Sequence, residues 1–85
     1  MAVCYIKLYG SIDCHKTQFY INWFESQNIP FEFLDVVKNQ NHATELRNLY
    51  TNNKLNFPTI TVGEKKLRNP HTAEIEKQIK KRNSL

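Results

Sequence analysis

Two β-rich segments separated by a single helix-length stretch constrain this chain most. Residues 2–9 carry Val3, Tyr5, Ile6, Leu8 and Tyr9 in near alternation and stop at Gly10, and residues 31–36 form a second such run. Between them, Phe19, Tyr20, Trp23 and Phe24 recur at helical spacing, which predicts a helix over 15–27. Asn28 suits the left-handed residue that follows a helix, and Pro30 enforces the stop. Strands joined through a helix pair in parallel, with a right-handed crossover.

The remainder extends that unit. Residues 39–50 predict a second helix, with Ala43, Leu46, Leu49 and Tyr50 on one stripe and Asn52, Asn53 and Lys54 as its breaker. Thr59, Ile60, Thr61 and Val62 form a β-branched strand that Gly63-Glu64 turns into Lys65, Lys66 and Leu67, a hairpin adding antiparallel strands to the sheet. Asn69-Pro70 predicts the start of a last helix, because Asn is a good N-cap and Pro suits the first helical position. Ile75 and Ile79 supply its buried face. The order β-α-β-α-β-β-α implies an α/β fold, a four-stranded mixed sheet flanked by three helices. At 85 residues it is expected to be one domain spanning 1–85, without repeat or linker.

Composition narrows the function classes. The two cysteines, Cys4 and Cys14, cannot build a disulfide framework. No apolar run approaches the ~18 residues of a membrane span, and the first residues are too few and too polar for a signal peptide. The expectation is a cytoplasmic monomer with no membrane partner. A net charge of +4 invites nucleic acid. The positive residues are scattered, however, except for Lys65, Lys66, Arg68 and the tail Lys77, Lys80, Lys81 and Arg82. A basic last turn offsets the negative end of a helix dipole, so a solvated helix end is expected and no nucleic acid. His15, His42 and His71 lie far apart, no Cys/His spacing resembles a zinc site, and no metal is expected.

Cys14 carries the chemistry. It follows a strand and a polar turn and falls at a helix start, where unpaired N–H groups and the dipole favour a thiolate. Lys16, and His15 when protonated, would add to this, while the adjacent Asp13 opposes it. Cys4 sits in an apolar strand and reads as a core residue. A second signal is Phe57-Pro58-Thr59 immediately before a β-branched strand, since proline enters a sheet at a strand's first residue. On residue statistics alone its peptide bond is trans.

Strand, turn, Cys-x-x-Thr, helix, a strand ending in Asp35-Val36, helix, and x-Pro-Thr before a hairpin together resemble a glutaredoxin over roughly residues 6–79. The segment Pro58-Thr59-Ile60-Thr61-Val62-Gly63, followed by Leu67-Arg68-Asn69-Pro70, is most similar to the mycoredoxin and NrdH-type redoxin branch. The resemblance implies a thioredoxin-like fold, Cys14 as nucleophile and a cis Pro58. It also implies that Phe57 offers its backbone N–H and C=O to the substrate's cysteine, as an added strand would. Glutathione or a glutathionylated protein would lie across Cys14, Phe57 and the start of the last helix.

This chain departs from that pattern in informative ways. Thr17 stands where the resolving cysteine would be, so the motif Cys14-His15-Lys16-Thr17 is monothiol. His15-Lys16 replaces the Gly-Phe pair of iron–sulfur-binding monothiol members, which argues against cluster binding. The lysine that usually precedes the cysteine is missing, and Lys16 is the substitute. The Gly-Gly pair before the last helix is replaced by Arg68-Asn69-Pro70. There Arg68 could pair with a carboxylate, with Asn69, His71 or Thr72 adding a side-chain contact. The expected function is a monothiol thiol–disulfide oxidoreductase with no bound cofactor. Glutathione or a similar low-molecular-weight thiol is its co-substrate, glutathionylated or disulfide-containing proteins are its partners, and the Thr17 hydroxyl stabilises the Cys14 thiolate. The alternatives are a redoxin-fold binding module with weak turnover and an electron donor of the NrdH type, against which Thr17 counts.

Overall fold

The computed structural model describes residues 5–51 and 57–83. In chain order it contains β1 (Ile6–Gly10), α1 (His15–Ser26), β2 (Glu32–Asp35), α2 (Gln40–Asn48), β3 (Thr59–Val62), β4 (Lys65–Arg68) and α3 (Thr72–Asn83). The strands form one mixed sheet in the order β2-β1-β3-β4. β1 and β2 are parallel, with Gly10 opposite Asp35, and β1 and β3 are antiparallel, with Tyr9 opposite Thr59. The hairpin closes through Gly63, whose φ of 62° is the left-handed conformation that glycine adopts without penalty.

Strand alternation sends neighbouring side chains to opposite faces and so builds two cores. On one face Ile6, Leu8, Ile60, Val62 and Leu67 pack with Tyr20 and Phe24 of α1 and Ile75 of α3, with Ile79 against them. On the other, Tyr9, Leu34 and Val36 pack with Ala43 and Leu46 of α2, flanked by Leu49 and Tyr50. Burying side chains such as Phe24, Leu8 and Ile60 completely contributes about 1.5–3 kcal/mol each.

Three boundaries differ from expectation. The first strand runs Ile6–Gly10, and the expected core position of Cys4 lies outside the described residues. α2 ends at Asn48 because the N–H groups of Leu49 and Tyr50 bond three residues back, tightening the last turn. The last helix begins at Thr72, so Asn69-Pro70 does not cap it. Asn69 has a φ of 48°, far from the extended conformation of an N-cap, and its N–H donates to the Pro58 carbonyl at 3.0 Å. The carbonyl of His71 receives the first N–H groups of α3, from Glu74 and Ile75. Tertiary anchoring to Pro58 thus overrides the local preference of Asn-Pro. Asn28, by contrast, takes the left-handed conformation expected of it, with φ 56°.

Candidate active site

β1 ends at Gly10, and residues 11–14 carry the chain into α1 with Cys14 at the N-cap, extended at φ −88° and ψ 124°. The turn is closed by the Cys14 N–H donating to the Ser11 carbonyl at 3.0 Å and by the Asp13 N–H donating to the Ser11 hydroxyl at 3.3 Å. The Cys14 carbonyl opens the helix by accepting from Gln18 N–H at 3.0 Å. As a cap residue whose side chain makes no capping bond, Cys14 leaves its sulfur beside the unpaired N–H groups of the first turn.

The backbone N–H of Thr17 does most to hold the Cys14 thiol below the ordinary cysteine range. Partial burial pushes the other way, and the Thr17 hydroxyl, the Lys16 N–H and the Lys16 charge add to the lowering. The lowering of this thiol thus comes chiefly from backbone groups at the helix N-terminus.

Thr17 is fully buried, and its Oγ1 accepts the Ser11 N–H at 3.3 Å. α1 reaches this close to β1 because position 10 has no side chain. A Cβ there would stand 2.3 Å from Thr17 Oγ1 and 2.7 Å from Cγ2.

Phe57 and Pro58 approach from the other side. The pairing of Tyr9 with Thr59 means that β3 begins where β1 ends, so Pro58 and the cysteine loop leave the sheet at the same end. The Phe57–Pro58 bond is cis, as the resemblance implies and against the statistical default. Pro58 is buried, while Phe57 is 37% exposed.

A groove of about 380 Å³ lies between Lys16, Phe19 and Tyr20 of α1 and residues 69–73 ahead of and within the first turn of α3. The Tyr20 hydroxyl ties its walls together, donating to the Pro70 carbonyl and to Asn69 Oδ1. Phe19 stands edge-on to Tyr20, with ring centroids 5.5 Å apart, and remains 55% exposed.

Of the residues expected at the site, Cys14, Lys16 and Thr17 meet at the start of α1, and Lys16, Asn69, His71 and Thr72 line the groove. Pro58 joins them through its bond to Asn69. Arg68 does not line the groove. Leu67 packs under α1 and α3, so alternation turns Arg68 toward the face that carries α2. Tyr20 and Phe19, read from sequence only as helix apolar positions, prove to be groove walls. A hydroxyl within an apolar stripe was the available signal, since a buried Tyr O–H requires a partner. Among the described residues no three His, Cys, Asp or Glu side chains come together as a metal site, and no helix is long and apolar enough to cross a membrane.

No protein-family model and no curated protein matches the chain. Solved structures do. The thioredoxin-like protein BC3987 superposes with a TM-score of 0.72 at 19% identity, covering 86% of this chain and 97% of that one. A point mutant of the same protein gives 0.73 at 19% identity, covering 87% and 97%. The glutaredoxin Grx-1 from Archaeoglobus fulgidus gives 0.72 at 15% identity, covering 93% of this chain and 87% of that one. Identities this low speak for the backbone rather than the chemistry, and on that footing the chain has the thioredoxin-like fold, a mixed four-stranded sheet with three helices.

Proposed function

We propose that this chain is a monothiol thiol–disulfide oxidoreductase of the glutaredoxin type, nearest in sequence character to the mycoredoxin and NrdH-type branch. The observation that carries the reading is the Cys14 sulfur at the N-cap of α1, with the Thr17 and Lys16 donors lowering its pKa. The Cys14 thiolate attacks the glutathione sulfur of a glutathionylated protein. A Cys14–glutathione disulfide forms and the protein thiolate leaves, taking up a proton. A second glutathione thiolate then attacks the glutathione sulfur held on Cys14, forming glutathione disulfide and regenerating the Cys14 thiolate. Rates of both steps follow thiolate fraction, nucleophilicity and access.

Thr17 cannot resolve the intermediate, so release depends on the second thiol. The Thr17 hydroxyl and N–H favour the thiolate between turnovers. The groove beside Lys16, Asn69, His71 and Thr72 is where the departing or incoming thiol compound rests, and the Phe57 backbone is the strand-like edge for it.

Incubation with oxidised glutathione followed by peptide-resolved mass spectrometry tests this. One glutathione adduct is expected on Cys14 and none on Cys4, with no adduct in Cys14→Ser. An adduct on Cys4 alone, or none at all, overturns the reading. Glutathione bound without any adduct would instead identify a binding module.

A further inference from the structure

Lys16, Phe19 and Tyr20 face the groove together, because residues three and four apart share one side of a helix. The Tyr20 side chain is buried in the core cluster with Leu8, Phe24 and Ile75, so its hydroxyl is carried on a fixed arm. That hydroxyl donates to the Pro70 carbonyl, and Asn69 Oδ1 at 3.4 Å is a second acceptor. Burial, and then the Glu74 charge, push the Tyr20 hydroxyl above the ordinary tyrosine range, so it stays a donor at neutral pH.

The segment it grips is the opposite wall. Asn69 and Pro70 line the groove ahead of α3, and Pro70 is buried. Asn69 holds a φ of 48°, which a residue other than glycine keeps where its surroundings fix it. In that conformation its N–H donates to the Pro58 carbonyl at 3.0 Å. Three pieces of backbone are thereby linked: the helix that Cys14 caps, the turn into α3, and the residue that follows Phe57. Removing the hydroxyl leaves a buried carbonyl without this donor, and such a group costs enough that the wall shifts to find another.

We infer that Tyr20 is a positioning residue for the groove: by fastening Pro70 and Asn69 to the helix that Cys14 caps, it sets where the opposite wall and the Pro58 carbonyl stand relative to the sulfur, and so favours disulfides that fill the groove over small ones. This rests on the proposed reading of the groove as the place where the thiol compound rests. Tyr20 acts through the wall and is not a catalytic residue. The thiol is lowered by Thr17 and Lys16, so its ionisation is independent of Tyr20.

The test compares mixed-disulfide formation on Cys14 by two probes, read by mass spectrometry. One is glutathione disulfide, with a tripeptide on each sulfur; the other is hydroxyethyl disulfide, too small to span the groove. With either, the Cys14 thiolate attacks one sulfur, the mixed disulfide forms, and the other half leaves as a thiolate that takes up a proton. Tyr20→Phe keeps the ring in the core and removes the donor. Its rate with glutathione disulfide is expected to fall about 3–10-fold, the worth of one hydrogen bond. Its rate with hydroxyethyl disulfide and its Cys14 alkylation midpoint should stay where they are. The Asn69 amide should exchange faster with deuterium in the variant, as followed by NMR. Tyr9→Phe is the structural control, since it removes a buried hydroxyl on the other face of the sheet and should leave the ratio of the two rates unchanged. An undiminished glutathione disulfide rate, an equal fall with both probes, the same selective fall in Tyr9→Phe, or an Asn69 amide that exchanges as before overturns the inference while leaving the proposed function standing. No adduct on Cys14 of the unmodified protein with either probe overturns the proposed function and this inference with it.

Discussion

Two polar clusters sit on the central strand β1, and they answer the same physical problem in opposite ways. On the face carrying α2, the Glu45 carboxylate accepts the hydroxyl of Tyr9 and, at 3.0 Å, the Lys7 ammonium. The Tyr9 hydroxyl does most to hold Glu45 below the usual carboxylate range, and burial followed by Glu45 pushes Tyr9 up. Nearby, Lys66 donates to the Leu49 carbonyl at 2.7 Å and lies 4.2 Å over the Tyr50 ring, and the Tyr50 hydroxyl shares a 2.8 Å bond with Thr59. Each donor meets an acceptor of the protein itself. At the end of the same strand, the Cys14 sulfur stands at the first turn of α1, only partly buried and open toward solvent, with its thiol held below the ordinary range. Ionisation is shifted in both clusters. A reactive site needs the shift together with an accessible nucleophile, and of the two clusters the Cys14 end presents the partly exposed thiol.

Four experiments probe that contrast. The largest effect is expected from Cys14→Ala, which should abolish thiol–disulfide exchange in a glutathione-coupled assay; residual exchange would mean that the reactive sulfur lies elsewhere. Next is Gly10→Ala. The added methyl group must displace Thr17, and overpacking of this kind costs about 1–3 kcal/mol. Chemical denaturation should register the loss, and exchange should fall with it because Thr17 is pushed off the sulfur.

A smaller and more specific change is expected in Thr17→Val. It removes the hydroxyl but keeps the N–H that dominates the lowering of the Cys14 pKa. The Cys14 alkylation midpoint should rise by roughly half a pH unit or less, since the hydroxyl is one hydrogen bond among several. A rise of several units would reverse the ranking of backbone over side chain. Smallest is Tyr9→Phe, which should cost about 0.5–1.5 kcal/mol of stability, one hydrogen bond, and leave exchange untouched. Its acid profile sharpens the point. Glu45 is lowered in the fold, so its stabilisation is complete above its unfolded pKa and fades as pH falls through the folded one. Tyr9→Phe should flatten that acid decline, as followed by denaturation midpoints below neutral pH; an unchanged slope would show that Tyr9 does not set the Glu45 ionisation.

What could be read ahead of the structure follows from how local each signal is. Alternation in β1, the stripe of α1 and the β-branched run of β3 are local, and they announce the element order and sheet composition. The position of Cys14 was legible for the same reason, as strand, polar turn and helix follow within a few residues. Asn69-Pro70 misled because its conformation is decided by partners far along the chain, the Pro58 carbonyl and the Tyr20 hydroxyl. Arg68 lies near the groove in sequence, yet alternation along β4 turns it toward the other face of the sheet.

The central claim is that the start of α1 holds the Cys14 thiol below the ordinary cysteine range, and its alkylation rate by iodoacetamide across pH, resolved at the Cys14 peptide by mass spectrometry, tests this most directly. The expected midpoint lies clearly below the free-cysteine value of about 8.5. A midpoint at or above that value would contradict the claim, because the Thr17 and Lys16 donors would then not be reaching the sulfur.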